Sequence, residues 1–291
     1  FTRKGRCYWL KCYEIPEGDK NFKGRAIQNM LNIEPDDSVN AMLRLRGLND
    51  EEFVNSHYVV FATKNGTIKK TCLEAYSRPR TNGVNAINIV EGDEVVDVRL
   101  TNGKNEIILA NRNGRAVRFD ENTVRSMGRV STGVRGMQLD GDDDQVVGMI
   151  IVNNAETETV MVVSENGYGK RSQVEDYRKT NRGGKGVKTF SITDKTGRLV
   201  AIKNVTDDND LMIINKSGIA IRLAVSDCRV MGRATQGVRL INLSKKNDVI
   251  ASVCKVMSSE LEAKLADDNS ATEPEATEAT EAKETNPENE I

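Results

Sequence analysis

Positive side chains recur in this sequence at fixed distances from glycine, and the chemistry they suit is the holding of a polyanion. Four residues after one series of glycines stand Lys70, Arg118, Arg171 and Arg222, with Lys69 and Lys170 beside two of them. Four residues before a second series stand Lys20, Arg129, Arg182 and Arg233; the second unit instead has Arg78 and Arg80 flanking Pro79. Arg25, Arg135, Lys188 and Arg239 closely follow the second glycine. Equivalent positions of a radial repeat point in equivalent directions, so these residues are expected to band a perimeter. Solubilising charge would mix signs at such positions, whereas the acids gather in turns such as Asp142-Asp143-Asp144. Contacts of this kind bind phosphate and position a nucleic acid without reading its sequence.

The densest patch runs from Arg178 and Lys179 to Gly186. Arg182 and Lys185 supply charge there, and Gly183, Gly184 and Gly186 allow a phosphate to approach main-chain N–H groups. No nucleotide P-loop is formed, because G-x-x-x-x-G-K-[ST] is not matched. Nothing points to catalysis or a metal. The single histidine, His57, excludes a histidine triad, and the five cysteines form no C-x-x-C pair and read as reduced thiols. Asp140-Gly141-Asp142-Asp143-Asp144 lacks the glycine and distal glutamate of a calcium loop and reads as an acidic turn. Trp9 stands where other units have the first basic residue and is read as a packing residue.

The elements that must position these residues follow a period of about fifty. Five turns, at Gly5, Gly66, Gly114, Gly167 and Gly218, lie 61, 48, 53 and 51 residues apart. Most carry Asn before the glycine, the strongest short hairpin signal. Uninterrupted apolar runs precede four of them, such as Val160-Met161-Val162-Val163, and read as strands buried on both faces. The second glycines, Gly24, Gly83, Gly133, Gly186 and Gly237, follow at 19, 17, 19, 19 and 19 residues. Each unit is expected to supply about four strands. The fold class is all-β, a propeller-like ring of four-stranded blades whose closure protects the sheet edges. The units run about 1–50, 56–104, 105–155, 156–206 and 207–257. Five are visible of an expected six, and the segment Arg46 to Asn55 is read as an inserted surface loop.

Charge divides the chain in two. The 291 residues carry 42 basic and 43 acidic side chains, yet residues 258–291 alone hold eleven acids and two lysines. A basic body thus precedes an acidic tail, which suggests a polyanion partner and a built-in competitor. The tail has almost no large apolar residues and is expected to be disordered. No run of about 18 apolar residues occurs, so no membrane-spanning helix is expected.

Residues 1–257 resemble the C-terminal β-pinwheel domain of bacterial DNA gyrase A. The resemblance rests on Phe1-Thr2-Arg3-Lys4-Gly5-Arg6, Asn65 to Thr71, Val124 to Arg129 with Thr132 to Gly136, Asn166 to Arg171, and Val230 to Val238. It implies a six-bladed disc whose rim wraps double-stranded DNA, so that an ATP-driven type II topoisomerase introduces negative supercoils. It also implies a cytoplasmic, nucleoid-associated protein with no membrane role. The family's Gln-Arg-Arg-Gly-Gly-Lys-Gly box belongs to its first blade, and Phe1 is placed in the second. Thr180 to Gly186 matches the last five residues of that box, with Thr180 for Gln and Asn181 for Arg. Phosphate contact is therefore carried over for Arg182, Gly183, Gly184, Lys185 and Gly186 alone. The family's catalytic tyrosine lies in a different domain, so no catalytic residue and no cofactor is expected here. ATP and magnesium would belong to a partner, gyrase B, in an A2B2 heterotetramer. The rival readings are the matching domain of topoisomerase IV, and a propeller-like protein-interaction platform, which would show mixed-sign surface at the repeated positions.

Overall fold

The computed structural model describes residues 1–19, 22–45, 47–243 and 248–258. The acidic tail expected over residues 258–291, apart from Ser258, and Lys20 lie outside them. The first repeat contributes β1 (Arg6–Cys7); the second β2 (Tyr58–Thr63), β3 (Thr67–Cys72), β4 (Val84–Asn85) and β5 (Val95–Thr101). The third contributes β6 (Glu106–Asn111), β7 (Arg115–Asp120), β8 (Val134–Arg135) and β9 (Val146–Val152). The fourth contributes β10 (Thr159–Ser164), β11 (Tyr168–Gln173), β12 (Val187–Lys188) and β13 (Leu199–Val205). The fifth contributes β14 (Asn209–Asn215), β15 (Ala220–Ala224), β16 (Val238–Arg239) and β17 (Ile250–Met257).

The strands of one repeat do not all join one blade. The sheets run β5-β2-β3-β8, β9-β6-β7-β12 and β13-β10-β11-β16, with a three-stranded β17-β14-β15 and a two-stranded β1-β4. The short strand after Gly83, Gly133, Gly186 and Gly237 therefore joins the sheet of the preceding repeat. Each full repeat supplies four strands, one of them to its neighbour's sheet, and this exchange explains both glycine series. The carbonyl of Gly114 in the turn between β6 and β7 accepts the N–H groups of Thr189 (2.8 Å) and Phe190 (3.1 Å), just beyond β12. At the other end of that strand Gly186 has φ +71° and lies so close to Ala116 that a Cβ would overlap its carbonyl. Gly133 meets the Ile68 carbonyl in the same way, 2.6 Å from a would-be Cβ.

The apolar runs are continuous because each central strand faces a blade on both sides. Ile107 and Leu109 of β6 pack into a core shared with Val60, Ala62 and Ile68 of the preceding blade. Ile108 and Ala110 turn to the core shared with Val160 and Val162 of the next. All four are fully buried, and the isoleucines and the leucine are each worth about 1.5–3 kcal/mol relative to exposure. At the hub, the N–H groups of Val95, Val146, Leu199 and Ile250 donate to the carbonyls of Arg3, Lys64, Arg112 and Glu165, at 3.0, 2.9, 3.0 and 2.8 Å. Each bond ties one repeat to another. The five turns surround an axial cavity of about 540 Å³ lined by Arg3, Lys64, Arg112, Glu165 and Lys216 among others. Among the described residues, five sheets thus stand radially around one axis.

The insertion is not a loop throughout. Glu51–Ser56 forms a helix, α1, capped by the Asp50 carboxylate, which accepts the Phe53 N–H. Val54 is buried and Phe53 packs beside it against the first interblade core. No helix among the described residues is long and apolar enough to cross a membrane.

Candidate nucleic-acid interface

Three of the four residues of the first basic series are buried and not on the perimeter. Lys70, Arg118 and Arg171 are 4%, 7% and 6% exposed. The Lys70 ammonium donates to the Glu121 carbonyl (3.1 Å) and faces its carboxylate at 3.4 Å. The Arg118 guanidinium donates to the carbonyls of Val174 (3.0 Å) and Tyr177 (3.1 Å) and to the Glu106 carboxylate (2.6 Å). Arg171 reaches Thr159 Oγ1 (2.6 Å), Asp207 (2.5 Å) and the Val225 carbonyl (3.5 Å). Arg222 is exposed but bound to Asp210 and to the Met257 carbonyl, both at 2.6 Å. In the three buried cases a cation clasps the 3₁₀ turn of the next repeat, satisfying carbonyls that burial would otherwise orphan. Trp9 performs the same task in the first repeat, its indole N–H donating to the Tyr76 carbonyl at 3.1 Å.

Lys69 and Lys170 are also corrected: they are 0% and 1% exposed and hold backbone carbonyls. An Arg118→Ala substitution is expected to cost about 2–5 kcal/mol, because it leaves the buried carbonyls of Val174 and Tyr177 without their donor, at roughly 1–3 kcal/mol each. Urea unfolding measures this, and a loss below about 1 kcal/mol would show that the clasp contributes little.

The perimeter is built by the other two series. Residues 125–133, 178–186 and 229–237 form arms that carry the exchanged strands to the preceding blade. Arg129 donates to the Asn85 carbonyl (3.4 Å), Arg182 to that of Arg135 (2.9 Å), and Arg233 to that of Lys188 (2.8 Å). Those carbonyls belong to the second residue of β4, β8 and β12. Arg135, Lys188 and Arg239, the matching side chains of β8, β12 and β16, are exposed. The two series therefore interlock along one outer track, in the order Arg129, Arg135, Arg182, Lys188, Arg233, Arg239. Arg239 is held against Tyr168, bonding its hydroxyl at 3.1 and 3.2 Å.

A further periodic series is absent from the sequence analysis, although one member, Arg178, stands in the densest patch. Arg125, Arg178 and Arg229 each follow a 3₁₀ turn, eight residues before the second glycine, and all are exposed. No hydrogen bond or ion pair engages their side chains among the described residues. The neighbouring bridges Lys70↔Ser126, Arg118↔Lys179 and Arg171↔Val230 fix where they stand. Arg25, Arg78 and Arg80 are exposed as well.

The glycine patch is partly committed to structure. The Gly183 N–H donates to the Gly136 carbonyl (2.7 Å), and the Gly184 carbonyl accepts the Gln138 N–H (3.0 Å). The expected phosphate contact through the Gly183 N–H is thus corrected. Lys185 pairs with Asp140 at 2.8 Å, and that hydrogen bond holds the Asp140 carboxyl below its usual range. Lys179 pairs with Glu106 (2.9 Å) and Asp120 (3.4 Å). Among the described residues no cluster of His, Cys, Asp and Glu could hold a metal.

Comparison with known proteins fits this geometry. The family model described as "DNA gyrase C-terminal domain, beta-propeller" matches residues 1–46, 57–102, 105–153, 158–206 and 209–254. The DNA gyrase A protein of Staphylococcus aureus (strain MRSA252) is 43% identical over 256 residues, which cover 88% of this chain and 28% of that protein. The chain therefore spans little more than a quarter of the length of such relatives. A crystal structure of the C-terminal domain of DNA topoisomerase IV superposes with a TM-score of 0.79 at 27% identity, covering 92% of this chain and 82% of that one. A structure of the DNA gyrase A C-terminal domain gives 0.75 at 24% identity, covering 88% and 80%, a likeness of fold.

Proposed function

We propose, since this chain belongs to the family of DNA gyrase C-terminal domains, that its outer track holds duplex DNA in a curve. The observation that carries this reading is the interlocked line of Arg129, Arg135, Arg182, Lys188, Arg233 and Arg239 across successive blades, flanked by Arg125, Arg178 and Arg229. Smooth bending costs about 1–6 kcal/mol for 40–90° over a short site and grows with the square of the angle. A bend near a half-turn then costs on the order of 10 kcal/mol. One basic cluster cannot hold such a bend, whereas contacts spread over several blades can.

In a complete type II topoisomerase the curved segment would present neighbouring DNA to the gate with one crossing sign, and ATP-driven passage would then introduce negative supercoils. ATP and magnesium would be handled by gyrase B within an A2B2 heterotetramer in the bacterial cytoplasm. This chain would supply no catalytic group. The corresponding domain of topoisomerase IV is the second reading, supported by the structural likeness to that enzyme.

Duplex binding measured against salt tests the proposal. The track offers six cations and its flank three, so log Kd is expected to rise with log salt at a slope of roughly 5–8, at about 0.9 per phosphate contact. Unrelated sequences should bind within a few-fold of one another. A slope near zero, or strong preference for one sequence, would contradict it.

A further inference from the structure

Two of the three arms rest on a buried ammonium that has no ion-pair partner among the described residues. Lys69 projects from β3 beneath the arm 125–133, and its Nζ donates to the carbonyls of Ala86 (2.5 Å) and Arg129. Lys170 projects from β11 beneath the arm 229–237 and donates to the Gly232 carbonyl at 2.7 Å. The residues held are thus a rim arginine itself and the neighbour of another. At the same place under the middle arm stands Val117, three residues after its turn glycine as Lys69 and Lys170 are.

We propose that Lys69 and Lys170 are positioning residues of the DNA rim, buried ammonium groups that hold two arms by their carbonyls and set Arg129 and Arg233 outward, tightening the grip on DNA when protonated. This rests on the DNA-binding reading above. The groups facing each lysine leave it as the one that titrates near neutrality. Lys69 meets the Phe61 ring at 5.4 Å, shares the Ala86 carbonyl with the Tyr76 hydroxyl, and lies near Arg129. Burial pushes the Tyr76 phenol up, and the nearby Cys7 thiol up to about 12, so both stay neutral. Lys170 has Asp176 and Arg233 as charged neighbours, and the Tyr177 phenol close by is raised by burial to about 12. Burial first, and the neighbouring arginine as a further cause, bring each lysine down to about 7.

A phosphate bound at Arg129 or Arg233 offsets the repulsion that guanidinium exerts on the ammonium beneath it. DNA binding therefore takes up protons, and affinity falls as pH rises through about 7. Folding has the opposite sign. The unfolded lysines titrate near 10.4, so between about pH 7 and 10 the unfolded chain binds more protons and the fold gains stability as pH rises. Affinity and stability moving in opposite directions is a signature that simple structural support does not give.

The test uses the 291-residue chain and a duplex of about 40 base pairs, with Lys69→Met, Lys170→Met and the double variant. Wild-type affinity is expected to fall about tenfold from about pH 6 to 8.5, the effect of a one-unit shift in one group, while its thermal midpoint rises. The double variant should be flat with pH, about tenfold weaker at about pH 6, and unchanged in salt slope because no phosphate contact is lost. A slope reduced by about 2 would mean that the lysines touch phosphate themselves and would overturn the proposal. So would wild-type affinity independent of pH, a result needing no variant to fold. Failure of the wild type to bind DNA at any pH would instead overturn the DNA reading itself.

Discussion

Replacing Arg125, Arg135, Arg178 and Lys188 together by Gln is expected to weaken duplex binding by at least about 100-fold at roughly 50 mM salt. The slope of log Kd against log salt should fall by about 3.6, four contacts at about 0.9 each. These four are exposed and make no side-chain hydrogen bond or ion pair among the described residues, so their removal leaves the interblade contacts intact. The thermal midpoint should accordingly move little, since surface substitutions of this kind stay within about 0.5 kcal/mol each. The contrast with the buried series is the point of the experiment: Arg118 and Arg171 are equally positive and equally periodic, yet their loss should register in stability before it registers in the salt slope. Unchanged affinity in the quadruple variant would remove the rim from the account.

The second large effect concerns the exchanged strand. Gly186→Ala is expected to cost about 3 kcal/mol or more. Left-handed backbone penalises a Cβ by roughly 1–2 kcal/mol. Overlap with the Ala116 carbonyl adds to this by lifting β12 from its place. That endangers the hydrogen bonds of Thr189 and Phe190 to Gly114 and the burial of Phe190, which is 1% exposed. Gly24→Ala is the control, with a nearly identical φ of +72° but nothing within 4 Å of the new methyl. Its cost should stay near the backbone term. Urea unfolding of both variants decides, and equal losses would show that the close approach to the neighbouring blade is unimportant.

Much of this architecture is legible in the chain. Asn-Gly turns at a fixed period give the hairpins, and apolar runs without alternation announce strands covered on both faces. Strand exchange is not legible, because Val187-Lys188 has the same pattern whichever sheet it joins. Contacts such as that between Gly186 and Ala116 distinguish the two, and they span about 70 residues. The buried cations misled for a related reason: a positive donor facing phosphate and one facing carbonyls leave the same periodic trace. Trp9 held the better clue, since an indole N–H replaces an arginine only where a neutral acceptor waits. The acids at 50–52 suggested a loop, but they are a cap and first turn favoured by the helix dipole, with Phe53 and Val54 packing inward. The periodicity of Arg125, Arg178 and Arg229 is not seen when positions are counted four residues from either glycine, though their spacing is as regular as that of the track.

The central claim is that a line of cations on successive blades curves the double helix. Relaxed circular DNA incubated with increasing amounts of this chain, then religated and freed of protein, tests it most directly. A linking-number change of a single sign that grows with bound protein, and vanishes in the quadruple rim variant, is the predicted result. Tight, salt-sensitive binding that leaves the linking number unaltered would contradict the account, for the DNA would then lie on the rim without following it.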